Sequence, residues 1–179
     1  MNHNLTGIDD IDYELMMYLD YDTLEQLSYV NKHILHLSKN KSFWIKKLKY
    51  EEYIIPNTMQ TNVELNWLKA AKIVRYIYGK MNMLNERLGI NIIGENINLM
   101  KKIIDHYKLQ SSGQTFGMPR NIIHYDKYLK KYAISFDFDN KHKYSALLYT
   151  FEKDILINIL FDAIYYGIIS KCIMVLYPS

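Results

Sequence analysis

Apolar residues in the first fifty positions recur every three or four residues, which is the spacing of one helix face. A first helix is predicted over about residues 8–19, because acidic side chains fill its first turn and suit the positive end of the helix dipole. Asp22, three residues before Glu25, predicts the capped start of a second helix that ends near Lys39-Asn40. Ser42 predicts the cap of a short third helix. The apolar positions that define the three helices are Ile8, Ile11, Leu15 and Leu19; Leu24, Leu27, Val30, Ile34 and Leu37; and Phe43, Trp44 and Leu48.

The rest of the chain combines helical spacing with one β-like region. Helical spacing predicts three further helices, and two segments rich in aromatic and branched residues predict a β-hairpin. The segment Ser111–Pro119 is rich in Ser and Gly and predicts a loop. The predicted fold class is mainly α: a three-helix unit followed by a helix-rich domain with a small β-hairpin (α+β). The predicted segments are helices over about 62–83 and 95–109 and from about Asp154, and strands over 132–138 and 144–151.

Residues 55–58 are the best candidate for a domain boundary, since the sequence Ile-Pro-Asn-Thr favours a turn. The predicted domains are 1–50, the three-helix unit, and 51–179. A unit of about forty helical residues buries too little apolar surface to be stable alone. Its remaining apolar surface must therefore contact either a partner protein or the second domain of the same chain.

Composition predicts a folded protein and limits its chemistry. Apolar residues make up 49% of the 179 residues, and only 7 Gly and 3 Pro are present, which indicates a buried core. The single cysteine, Cys172, excludes an internal disulfide and a thiolate zinc cage. It favours a reducing compartment, and we expect a cytoplasmic protein.

The apolar stretch 155–176 is nominally long enough to span a bilayer. Asp162 and Lys171 interrupt this stretch and Gly167 divides it. A charge near the middle of a spanning helix costs about 2.5–3.5 kcal/mol. We therefore expect a buried core helix here, and neither a tail anchor nor a membrane partner.

Candidate groups for catalysis or metal binding are few. His33 and His36 could present two metal ligands on one helix face, but two ligands make a weak site, and solvated histidines are expected. Asp137 and Asp139 lie on one face of a predicted strand, where they could bind a cation or act as an acid/base pair. The sequence shows neither a third ligand nor a pocket that would raise the pKa of one carboxyl, so solvent-facing side chains are expected. We expect no metal, no cofactor and no catalytic residue, and hence no enzyme. An enzyme of unknown class stays open as an alternative.

A lysine-rich segment surrounds Phe43 and Trp44. Helical spacing turns the two aromatic side chains inward and the lysines outward, which predicts a solvated basic face. The net charge of +3 is too small to argue for nucleic acid, and no nucleic-acid partner is expected. The lysines are Lys39, Lys41, Lys46, Lys47 and Lys49.

The stretch from Ile8 to Leu48 resembles an F-box, and it is most similar to the F-box-like segments of giant DNA virus proteins of the mimivirus type. In place of the leucine-proline start of that family, this chain has Ile8-Asp9 or Ile11-Asp12. The resemblance covers about the first quarter of the chain. The matching positions are Leu19, Asp20, Leu24, Leu27, Val30 and Trp44.

The resemblance implies a non-catalytic adaptor. An F-box docks on the helical protein Skp1 of a cullin-RING ubiquitin ligase, while the remainder of the chain, here residues 51–179, holds a client. For a viral protein the implied location is the host cytoplasm. The implied contact residues for a Skp1-like partner are Leu15, Leu19, Leu24, Leu27, Val30 and Trp44.

The alternative is a structural or scaffold protein whose F-box-like segment is part of its own core. The two hypotheses differ in whether Leu19, Leu24 and Trp44 can be reached from outside. A fold without a partner buries all three, whereas an adaptor leaves them accessible.

Overall fold

A computed structural model describes residues 9–62, 64–84, 88–94, 97–107, 111–116, 122–136 and 145–176. These residues form eight helices and six strands, so the predicted mainly α (α+β) fold class is confirmed. The chain divides into two compact units, Met1–Arg75 and Tyr76–Ser179.

The described strands all lie in the second unit, together with α7 and α8. The helices are α1 (Asp9–Tyr18), α2 (Tyr21–Val30), α3 (Lys32–Ser38), α4 (Lys41–Tyr50), α5 (Asn57–Thr61), α6 (Trp67–Met81), α7 (Ile97–His106) and α8 (Lys153–Tyr165). The strands are β1 (Leu88–Gly94), β2 (Ser111–Phe116), β3 (Ile122–Asp126), β4 (Lys131–Phe136), β5 (Ser145–Phe151) and β6 (Ile169–Leu176). The division between the two units falls inside α6.

The predicted second helix is in fact two helices, because Asn31 interrupts it. The backbone of Asn31 is extended, with φ −127° and ψ 112°. Its side-chain Oδ1 accepts hydrogen bonds from the backbone N–H groups of His33 (2.9 Å) and Ile34 (3.2 Å), which caps α3. Residues 9–50 therefore contain four helices, whereas the apolar spacing predicted three for this part of the chain.

The sequence predicted Ser42 as the cap of α4, but the cap in the structure is Asn40. The Oδ1 atom of Asn40 accepts a hydrogen bond from the backbone N–H of Ser42 at 2.9 Å. An asparagine one residue before a helix satisfies the same unpaired amides as a serine does, and it also tolerates the extended backbone found here.

The first compact unit extends past the predicted domain 1–50. A short helix, α5, begins at Asn57, inside the segment predicted as a boundary. Further on, Lys72 of α6 forms ion pairs with Asp22 and Glu25 of α2, and the guanidinium of Arg75 lies 5.3 Å from the ring centre of Tyr21. These contacts hold residues up to Arg75 against the first helices of the chain.

The second unit contains a six-stranded antiparallel sheet with the order β2-β5-β4-β3-β1-β6. The predicted hairpin is confirmed as the β4–β5 pair, in which Tyr132 lies opposite Phe151. The predicted connection between these strands lies outside the described residues. The sheet is larger than the small hairpin predicted, because β2 pairs with β5, and β3 pairs with both β4 and β1.

Two segments of the second unit correct the sequence-based expectations. Residues 111–116 form β2, although their Ser and Gly content predicted a loop; residues 117–119 lie outside the described residues. The C-terminal apolar stretch is not one helix: α8 ends at Tyr165, Gly167 takes a positive φ of 72°, and β6 pairs with β1. Glycine adopts that left-handed conformation without strain, so the helix can end sharply there.

The core of the second unit forms around α8. This helix packs against α7, β4 and β6, and it buries Leu156, Ile159 and Leu160, as its spacing predicted. The hydroxyl of Tyr107 donates to Asp162 Oδ2 at 2.9 Å, and burial raises the pKa of that hydroxyl. No helix in the described part of the chain has the length and hydropathy needed to span a membrane.

Candidate partner-binding site

Helix α1 exposes an apolar stripe on one side. Ile11, Leu15 and Tyr18 are four and then three residues apart, so they lie on the same face of the helix. Leu15 is 43% exposed and Tyr18 is 71% exposed. The ring of Tyr18 meets the exposed ring of Tyr50 edge to face, with 5.9 Å between centroids. We call these four residues the α1 surface.

The opposite side of α1 is buried in the first unit. Met16 and Met17 are core residues, and the carboxylate of Asp12 is fully buried. The Oδ2 atom of Asp12 lies 3.6 Å from Nε2 of His33 on α3. Because this inward face packs against the unit, the α1 surface is presented by a helix that is already folded.

A buried lysine fixes the C-terminal end of α1. Lys47 donates from Nζ to the backbone oxygens of Met17 and Leu19, both at 2.8 Å, and pairs with Glu51 at 3.0 Å. The sequence had predicted that Lys47 is solvated, and this prediction is wrong. Lys47 follows Phe43 by four residues, so it belongs to the inward face of α4 despite its charge.

Glu51 also connects α4 to the start of α2. The hydroxyl of Tyr21 donates to Glu51 Oε2 at 2.7 Å, and the Tyr21 ring stacks on Trp44 with 5.8 Å between centroids. Burial raises the pKa of Tyr21 above its usual value, and the hydrogen bond to Glu51 raises it further. The hydroxyl therefore stays protonated and continues to donate.

Two of the predicted contact residues are core residues in this structure. Leu24 and Trp44 are fully buried within the first unit. The indole Nε1 of Trp44 donates to the backbone oxygen of Ser38 at 2.6 Å, which satisfies its polar atom internally. A partner could contact these side chains only if the unit opened, so their assignment as contact residues is corrected.

The other four predicted contact residues differ in accessibility. Leu15 belongs to the α1 surface, and Val30, at the end of α2, is 80% exposed. Leu19 and Leu27 are half-buried. Ile11, Tyr18 and Tyr50 were missing from the predicted set, although the helical spacing that selected Leu15 also relates it to Ile11 and Tyr18.

The candidate metal ligands and the candidate basic residues differ in burial and in partners from what the sequence predicted. His33 is mostly buried beside Asp12, whereas His36 is exposed. Among the described residues no group of three metal-ligating side chains occurs, and Asp137 and Asp139 lie outside that part of the chain. Of the lysines on α4, Lys41 donates to the Gln60 backbone oxygen and Lys46 pairs with Glu14.

Comparisons of the chain with models of protein families, with curated proteins and with solved structures gave no match.

Proposed function

We propose that this chain is a non-catalytic F-box-like adaptor that docks on Skp1 of a host cullin-RING ubiquitin ligase. In this proposal the protein acts in the host cytoplasm and holds a client protein through residues 51–179. The client is then modified because it is kept close to the ligase, at a high effective concentration, and the chain itself performs no chemistry.

The α1 surface is the observation that carries this proposal. Three of its four residues lie within the segment that resembles an F-box, and it exposes Leu15, one of the contact residues that the resemblance implies. Apolar side chains at positions i, i+4 and i+7 are the anchors by which a helix docks into a hydrophobic groove of a partner. Tyr18 and Tyr50 add aromatic area, which is enriched at protein–protein interfaces.

A second candidate function is supported by the burial of Leu24 and Trp44. Both side chains fill the core of the first unit, as expected for a structural or scaffold protein in which the F-box-like segment serves only its own packing. The adaptor proposal therefore depends on the α1 surface and Val30, and no longer on all six residues first implied.

Binding to purified Skp1 distinguishes the two functions. Immobilised Skp1 is incubated with the full chain, with Leu15→Asp and with Tyr128→Ser, an exposed substitution in the second unit. The adaptor proposal predicts retention of the parent and of Tyr128→Ser, and loss of at least tenfold in affinity for Leu15→Asp, because its charge would enter an apolar contact. Circular dichroism checks that Leu15→Asp is folded.

Two results would contradict the adaptor proposal. The first is that the parent does not bind Skp1 at micromolar concentration, which would favour the scaffold function. The second is that folded Leu15→Asp binds as well as the parent. In that case Skp1 would bind the chain, but not through the α1 surface.

A further inference from the structure

The turn between β3 and β4 exposes two large apolar residues at its tip. Tyr128 is 86% exposed and Leu129 is 54% exposed. The turn joins Asp126 to Lys131, which lie opposite each other in the β3–β4 ladder. Tight turns favour Gly, Pro, Asn, Asp and Ser, which meet the backbone requirements at little cost. Turn formation therefore does not explain a tyrosine and a leucine here. We call residues 127–131 the β3–β4 tip.

The backbone of the tip is well organised. Oδ1 of Asp126 accepts hydrogen bonds from the backbone N–H groups of Tyr128 (2.9 Å) and Leu129 (3.0 Å). Lys130 has a positive φ of 53°, in the left-handed region where Gly or Asn is preferred. The chain thus keeps a lysine, with its Cβ, at a position where glycine would be less strained, so the backbone of the tip does not by itself explain the choice of lysine.

Basic side chains surround the two apolar ones. Lys127, Lys130 and Lys131 are all exposed, and the Nζ atom of Lys127 lies 5.4 Å from the ring centre of Tyr128. Lys131 also lies 3.3 Å from the carboxylate of Glu152. The nearest acid in sequence, Asp126, already accepts the two turn amides. The tip therefore presents an apolar centre with a basic rim.

We propose that the β3–β4 tip is a peripheral docking element for an anionic lipid membrane. The tip is an exposed turn, so its side chains can enter a soft interface without needing a matching groove. A tyrosine ring is suited to the headgroup level and a leucine to the region just below it. Lysines extend their amines to lipid phosphates while their methylenes cover apolar surface, and each adds attraction to an anionic leaflet.

Membrane docking by the β3–β4 tip does not depend on the adaptor proposal, and it would replace the expectation that the protein has no membrane partner. The sequence predicted no membrane partner because the apolar stretch 155–176 contains charges, an argument that concerned anchoring by a helix. Contact through one turn needs no spanning helix. It would give reversible binding that depends on the charge of the lipid.

Vesicle sedimentation tests the proposal. The full chain is mixed with vesicles of phosphatidylcholine alone or of phosphatidylcholine with phosphatidylserine, at low salt. We expect sedimentation only with the phosphatidylserine vesicles, and less of it as salt is added. The Lys127→Gln/Lys130→Gln variant should lose affinity by about fivefold for each lysine. The Tyr128→Ser/Leu129→Ser variant should lose about tenfold or more.

Matched substitutions in the first unit provide the control. Lys39 and Lys49 are also exposed, and Lys39→Gln/Lys49→Gln should bind the anionic vesicles within about twofold of the parent, since its lost charges lie outside the tip. If the double serine variant does not fold, Tyr128→Ser alone serves, because that side chain makes little contact with the fold.

Three results would overturn the proposal. They are equal binding of the parent to both kinds of vesicle, equal binding of the parent and the folded tip variants to anionic vesicles, and no binding of the parent to either vesicle. The last result would leave an acidic protein surface as the partner to test for this tip.

Discussion

The Nζ atom of Lys47 lies 2.8 Å from the backbone oxygen of Met17, inside the first compact unit. A helix leaves its last carbonyl groups without partners inside the helix, and α1 ends at Tyr18. Lys47 provides donors for two carbonyls at this end, those of Met17 and Leu19. One side chain of α4 thus fixes the helix that carries the α1 surface.

Replacing Lys47 with methionine should destabilise the first unit. Lys47→Met keeps an unbranched side chain that is one atom shorter and removes the cation, so two carbonyls and Glu51 lose a donor in a buried setting. We expect the free energy of unfolding to fall by about 2–4 kcal/mol. Urea unfolding followed by circular dichroism measures this change.

The control is Lys49→Met, on the exposed side of the same helix. Its free energy of unfolding should change by less than about 0.5 kcal/mol. Equal stability of the two variants would show that the buried contacts of Lys47 contribute nothing specific.

The hydroxyl of Tyr21 should make stability depend on pH in alkaline solution. Near neutral pH, Tyr21→Phe should lower the free energy of unfolding by about 1 kcal/mol, because Glu51 loses a hydrogen-bond donor. Burial raises the pKa of Tyr21 in the folded state above the usual 10.0. As pH rises above about 10, the unfolded state loses this proton first and so binds fewer protons than the folded state.

The stability that Tyr21 contributes is therefore lost as pH rises, by up to about 1.4 kcal/mol for each pH unit above the unfolded pKa. Phenylalanine does not ionise. We expect the deficit of Tyr21→Phe to shrink between about pH 9 and pH 11 and then to reverse. Urea unfolding of both proteins across this range measures it, and a constant difference would contradict the assignment.

A charge at Leu24 should destabilise the first unit strongly, whereas a charge at Val30 should leave its stability almost unchanged, although both are predicted contact residues. Leu24→Asp places a carboxylate in the core and should destabilise the first unit by more than about 3 kcal/mol. Val30→Asp changes an exposed side chain and should stay within about 0.5 kcal/mol of the parent. Unfolding curves measure both. A fully stable Leu24→Asp would mean that this side chain is not in the core.

Asn31 should contribute the energy of one helix cap. Asn31→Ala removes the oxygen that accepts from His33 and Ile34, and it should lower the free energy of unfolding by about 1 kcal/mol. Asn31→Asp keeps an acceptor of similar capping strength and is the matched control. If both variants lose the same stability, the capping oxygen is not the cause.

Sequence patterns predicted the helices α1, α6, α7 and α8 because long apolar spacing dominates there. The patterns failed at Asn31 because the apolar spacing was followed and the residue type was not. They failed at Lys47 because the residue type was followed and the spacing was not. Asn31 interrupts an otherwise continuous apolar stripe, and its preference for caps was the missed signal. Lys47 was assigned to solvent by its charge, although its spacing from Phe43 assigned it to the core.

The strands were harder to predict because their pairing is made by distant parts of the chain. The Ser and Gly residues that begin the segment 111–116 have little β-propensity, and β2 forms by pairing with β5, 29 to 38 residues further along the chain. In the C-terminal stretch, only Gly167 signalled that the helix ends before the strand begins.

The candidate site was predictable in part. Helical spacing located the stripe of Ile11, Leu15 and Tyr18. Spacing alone did not show which apolar side chains of the first unit are buried. The packing of the four helices buries Leu24 and Trp44 and leaves Leu15 exposed.

Hydrogen–deuterium exchange of the full chain, with and without saturating Skp1, is the most direct test of docking through the α1 surface. We expect slower exchange on Skp1 addition in peptides that cover α1 and the end of α4, where Leu15 and Tyr50 lie. Peptides of β3 and β4 should exchange at the same rate in both samples. Unchanged exchange throughout α1, with Skp1 present in excess, would show that Skp1 does not dock there.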